Sequence, residues 1–264
     1  MCMSIRPSEM SNTKIYVGDA MHKGKYVHVL AYQNNAKTNE PNAMVLPIFT
    51  KKKVTKKNIL DTTNYKDLFN TIFAEPALRG MKLGMAKTQV FTSGSYTIVL
   101  AANINKAADA LSKVPENKRP KLGAKFIESF DKLYSEYPVA ICCWDGSVSP
   151  EPLLWWYEPI EKDVLMVPTM DSHDGESIDL NAQVKMDHYI AVGSAITKLH
   201  GGREVSIKKD LMPISVKTVK IKGNYGNGDC MVSLDSLKNN EVARLYKPYR
   251  QNCKIAQNYF DLKR

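Results

Sequence analysis

The polar and apolar positions of the chain fall into short alternating runs joined by Gly, Pro and Asn. Residues 26–33, YVHVLAYQ, place Tyr26, His28, Leu30 and Tyr32 on one face of a strand and Val27, Val29 and Ala31 on the other. Residues 43–49, AMVLPIF, read as a second strand, with Pro47 marking an edge or a strand end. The Asn-rich link between them predicts a hairpin. SYTIVLAA, 95–102, reads as a buried strand. PVAICCWD (138–145), EPLLWWYEP (151–159) and DVLMVPTM (163–170), separated by Gly, Ser and Pro, predict a meander. Another strand is expected in 182–194. After it, Ile214, Val216, Val219 and Ile221 alternate with Lys217, Lys220 and Lys222, as strands with one solvated face do.

Helical spacing appears in four places. Tyr65, Leu68, Phe69, Ile72 and Phe73 share a face within 65–74, and a short helix fits 105–114. In 120–137, Leu122, Phe126, Ile127, Phe130, Leu133, Tyr134 and Tyr137 make one apolar stripe, with Pro120 expected in its first turn. A fourth helix is expected over 235–247, capped by Asp235. Strands along the whole chain with about four helices indicate an α+β fold built on mainly antiparallel sheets. Gly201 and Gly202 break the pattern, so we divide the chain into a main domain, 1–200, and a basic C-terminal extension, 201–264, either separate or integrated in the same domain.

Composition narrows the function. The 264 residues carry a net charge of +10, which draws a protein toward acidic partners or nucleic acid. Five lysines, Lys51, Lys52, Lys53, Lys56 and Lys57, crowd residues 51–57, and Arg244, Lys247 and Arg250 stand among tyrosines near the C-terminus. These eight are the candidate polyanion contacts. No apolar run is long enough for a membrane span, and MCMSIRPSEM lacks the apolar core of a secretory signal. Five sparse cysteines without zinc-finger spacing fit reduced thiols of an intracellular protein. P-loop, Rossmann and HExxH patterns are absent.

The densest candidate chemistry is VPTMDSHDGESID, 167–179. Asp171, His173 and Asp174 are metal-ligand types, and His188 could complete a set from the next strand; a divalent metal is the one cofactor these residues suggest. The same His173, Asp174 and His188 are the candidate catalytic groups. The loop fails the calcium pattern, because Met170 stands at its first ligand position. Asp174-Gly175 is also a turn signal in its own right. Cys142 and Cys143 sit mid-strand on opposite faces, as buried thiols do. Trp155, Trp156 and Tyr157 could form a stacking surface for a base or sugar, or pack in the core, and Glu151 and Glu158 flank them as a conceivable carboxylate pair.

Pro168, Thr169, His173, Asp174, Gly175, Asp187 and His188 form a P-T-x-x-x-H-D-G … D-H pattern. In this, and in SNTKIYVG and SYTIVL, residues 11–195 resemble a group of uncharacterised bacterial proteins. The resemblance implies no activity; it marks those positions for attention. Three functional readings follow. The first is a non-enzymatic interaction or assembly protein whose basic surface meets an acidic protein, another subunit or nucleic acid. The second is a metal-assisted hydrolase at Asp171, His173, Asp174 and His188. The third is a carbohydrate- or nucleotide-binding module at Trp155, Trp156 and Tyr157.

Overall fold

A computed structural model describes residues 3–62, 67–73, 90–93, 96–148, 151–205, 207 and 211–239. In chain order its elements are β1 (Met3–Ser4), β2 (Glu9–His22), β3 (Lys25–Lys37), β4 (Asn42–Pro47), β5 (Ile59–Leu60), α1 (Leu68–Phe73), β6 (Val90–Ser93), β7 (Tyr96–Ala101), α2 (Ala107–Leu111), α3 (Ala124–Tyr134), β8 (Val139–Trp144), β9 (Ser147–Val148), β10 (Leu153–Tyr157), β11 (Val164–Val167), β12 (Gln183–Ser194), β13 (Arg203–Glu204), β14 (Ser215–Gly226), β15 (Cys230–Ser233) and α4 (Leu234–Lys238). The fold is α+β with mainly antiparallel sheets, as the periodicity indicates.

An eight-stranded sheet runs β13-β14-β12-β2-β3-β10-β5, with β9 also on β3; a five-stranded sheet runs β1-β4-β8-β7-β6; β11 and β15 form a separate ribbon. The β2–β3 hairpin turns on Lys23 and Gly24, at φ 50° and 76°. Positive φ at both central residues gives a turn whose twist matches the strands. All these pairings are antiparallel except β12 with β2.

Two expected pairings are corrected. Residues 26–33 and 43–49 form β3 and β4, but not a hairpin: β2 takes one edge of β3, β10 and β9 take the other, and β4 lies in the second sheet between β1 and β8. The predicted meander is likewise absent, because β8, β10 and β11 belong to three different sheets. Pro47 does stand at a strand end. The stripe on 120–137 becomes α3, which begins at Ala124 rather than Pro120, with Gly123 as its N-cap, whose carbonyl accepts the Ile127 amide. It buries Phe126, Phe130 and Tyr134 completely, on the order of 2 kcal/mol each. The cap of α4 is Ser233, whose hydroxyl accepts from the Ser236 amide, rather than Asp235; 240–247 lie outside the described residues.

The main core fills the space between the two sheets, α3 and the inner face of the ribbon; a second core lies between the other face of the large sheet and α1. The described residues after 200 are woven into this body. β14 pairs with β12 over its full length, β15 pairs with β11, and Leu234 and Leu237 of α4 are fully buried. No helix among the described residues is long and apolar enough to cross a membrane.

Candidate functional site

The acidic loop begins where β11 ends, and its backbone is held from below. Thr169 and Met170 donate their amides to Asp229 Oδ1, both at 2.8 Å, and Tyr134 of α3 donates its hydroxyl to Asp229 Oδ2 at 2.7 Å. Asn227 accepts the Asp171 amide through Oδ1 at 2.9 Å and donates to the Asp171 and Asp179 carbonyls at 2.8 and 2.9 Å. From above, the N-terminal segment closes on the loop: the amides of Ser4 and Ser8 donate to the carbonyls of Ser172 and His173. Asp174 accepts the Glu176 amide at 2.9 Å, and Gly175 turns the chain at φ 74°. The loop is thus a tight reversal that joins α3, β15 and the N-terminus.

His173 edges an open cleft of about 540 Å³ lined also by Pro7, Ser8, Glu9, Lys37, Thr38 and Asn39. Its Nε2 lies 2.9 Å from Asp171 Oδ1, off the line of a good hydrogen bond. His188 is elsewhere. It alternates with Met186, Ile190 and Val192 on the face of β12 that enters the main core, and it is fully buried. Asp187, on the opposite face, is exposed, with Lys220 Nζ 3.9 Å away. Among the described residues no three His, Cys, Asp or Glu side chains stand where they could hold one metal ion. Asp171, His173 and Asp174 therefore share a turn, and His188 does not join them.

The aromatic run of β10 follows strand parity. Trp155 and Tyr157 are 1% and 2% exposed within the main core, so they offer no stacking surface; Trp156 packs partly buried on the other face, 4.7 Å from the His22 ring. Glu158 is taken by Lys25, at 2.6 Å, and this hydrogen bond holds its carboxyl below the usual range. Cys142 and Cys143 are both buried, and burial pushes the Cys143 thiol up to about 12, far from a nucleophile.

The lysine loop is anchored at both ends. Thr50 Oγ1 donates to the Glu158 carbonyl at 2.6 Å and accepts the Lys52 amide. Beyond the loop, Asn58 accepts the Thr55 amide and donates to the Trp156 carbonyl, and Ile59 pairs with Trp155. Lys51 pairs at the surface with Glu136 at 3.2 Å, both side chains exposed, and Lys56 is buried. Lys52, Lys53 and Lys57 are exposed and make no ion pair among the described residues. Arg244, Lys247 and Arg250 lie outside the described residues.

The sequence reading missed Asp229, Asn227 and Asp19. Asp229 and Asn227 stand in YGNGDC, where the glycines advertise a turn and nothing marks the two polar side chains as buried. Asp19 lies in β2 and is also fully buried.

No family model matches this chain, and no curated protein matches it. Among solved structures, the crystal structure of baculovirus P35 aligns with 93% of this chain and 90% of its own, at 14% identity and a TM-score of 0.42. That likeness is too remote to carry fold or function from one chain to the other.

Proposed function

We propose that this chain is a non-enzymatic interaction protein that presents an anchored basic loop to an acidic segment of a partner protein. The observation supporting this reading is the state of Lys52, Lys53 and Lys57. They stand exposed and outside any ion pair among the described residues, though Lys52 is near enough to Glu158 to favour its charged carboxylate, on a loop fixed at Thr50 and Asn58. Nearby lysines differ: Lys25 and Lys51 each meet a carboxylate. A fixed cluster of like charges is unfavourable alone and gains when an anionic partner replaces its counterions. Holding the loop in advance also lowers the ordering cost of binding.

The test is fluorescence anisotropy with a labelled oligo-glutamate peptide, a duplex DNA and anionic vesicles as probes. The peptide is expected to bind with strong salt dependence and to be lost by K52E/K53E/K57E. Unchanged peptide binding by that variant, or tighter binding to DNA or vesicles than to the peptide, would overturn the reading.

A further inference from the structure

Directly beside the lysine loop the chain leaves an apolar cavity of about 310 Å³. Its floor is the outer face of the β11–β15 ribbon. The register sets Leu165 against Val232 and Val167 against Cys230 on the inner face, all buried in the main core. The outer face brings Met166 opposite Met231, with Val164 beside them, all partly exposed. The solvent side of such a ribbon is ordinarily polar; here Val164, Met166 and Met231 are apolar and Ser233, opposite Val164, is polar. Ile160, 44% exposed, extends the apolar surface at the rim. Phe49 and Tyr137, whose rings are 5.4 Å apart, form the far wall.

One polar side chain belongs to the lining and is itself buried. His28 is 1% exposed, and its Nε2 lies 2.9 Å from the Lys162 carbonyl oxygen. In the neutral ring that contact fixes the proton on Nε2 and leaves Nδ1 as an acceptor.

The volume is at the lower end for ligand sites, small for a cofactor and suited to one aromatic side chain. Thioether walls adapt to a planar ring. The position is equally specific. Phe49 is a wall of the cavity, Thr50 anchors the loop, and Lys52 and Lys53 follow within three or four residues. Glu161, exposed, also lines the cavity, and a flanking carboxylate would avoid it. We infer that the cavity receives a tyrosine side chain from an acidic partner segment, its hydroxyl donating to His28 and its acidic neighbours meeting Lys52 and Lys53. This inference rests on the interaction reading above and names its partner chemistry. A phenol suits the lining because it combines one apolar ring with one donor, and His28 is the buried polar side chain of that lining.

Three labelled peptides with identical glutamate flanks and a central Tyr, Phe or Ala separate the contributions. On the wild-type chain the Tyr peptide is expected to bind about tenfold or more tighter than the Ala peptide, with Phe between them. Ile160→Asp, at an exposed rim position where folding is tolerant, should level the three. K52E/K53E/K57E should weaken all three alike and keep the Tyr preference. Equal binding of Tyr and Ala peptides by the wild type overturns the anchor, and the charge reading then stands if the lysine variant still weakens both. A Tyr preference that Ile160→Asp leaves intact also overturns it. Equal binding of Tyr and Phe overturns the tyrosine assignment, since the hydroxyl then gains nothing from His28. A Tyr-peptide affinity unchanged by the lysine variant keeps the cavity and sinks the charge reading.

Discussion

Lys238 Nζ lies 3.1 Å from Asp19 Oδ2, so the last residue of α4 neutralises a carboxylate buried entirely in the large sheet. Tyr26 donates its hydroxyl to the same oxygen at 3.0 Å, and Oδ1 has no hydrogen-bond partner. Removing the ammonium leaves a buried charge with one hydroxyl to solvate it. Lys238→Met is expected to destabilise the fold by about 3 kcal/mol. Adding Asp19→Asn should recover much of that loss, since the orphaned charge is then gone. Urea unfolding of the three proteins measures this, and purely additive effects would exclude the pairing as the cause.

Asp229 holds the acidic loop by accepting from Thr169, Met170 and Tyr134. Asp229→Ala strands two backbone amides and a buried hydroxyl, at about 1 kcal/mol each, for a loss of about 3 kcal/mol. Asp229→Asn keeps one acceptor oxygen for the amides and should lose less. Denaturant midpoints rank the two.

Gly175 sits at φ 74°, and a Cβ there would lie 2.6 Å from the Ile5 carbonyl oxygen. Gly175→Ala therefore strains the turn and pushes the N-terminal segment off it. The expected loss is about 2 kcal/mol. Limited proteolysis should then cut near residues 3–8 faster than in the wild type, whereas Gly146→Ala, in open space, should not have that effect.

His28 gives the fold a pH dependence. Burial lowers its pKa; the Lys162 carbonyl, Asp19 and Asp163 oppose that, and Lys238 adds to it. The unfolded chain therefore takes up this proton first as pH falls. The stabilisation is complete above the ordinary histidine value and is lost as pH drops through the lower folded value. Stability measured at about pH 7.5 and about pH 5.5 should fall less in His28→Gln than in the wild type. Equal falls would assign the dependence to other groups.

Element type was readable where one face is uniformly apolar. The stripe of α3 and the runs of β8 and β12 needed only local periodicity. Pairing was not readable. β3 and β4 are neighbours in the chain, yet the edges of β3 are occupied by β2 and β10, a competition between segments more than a hundred residues apart. The acidic loop was half readable: Asp174-Gly175 announces the reversal, but its anchors, Asn227 and Asp229, lie beyond β14. Parity in β10 places Trp155 and Tyr157 together, and only knowledge of the opposing sheet says that their face is the buried one. The lysine loop was visible as charge. That Lys51 meets Glu136 while Lys56 is buried and Lys52, Lys53 and Lys57 are exposed depends on residues the run itself does not contain.

The parallel pairing of β2 with β12 has a consequence for synthesis. The β2–β3 hairpin turns tightly and is available as soon as residue 37 has left the ribosome. The other edge of β2 stays bare until 183–194 emerge, and the N-terminal strap waits for Ser172 and His173. A nascent chain thus carries an open strand edge for most of its translation, a long-range closure that slows folding. Arrest of translation between residues 40 and 180 should leave that hairpin exposed to chaperones, and release past 194 should withdraw it in one step.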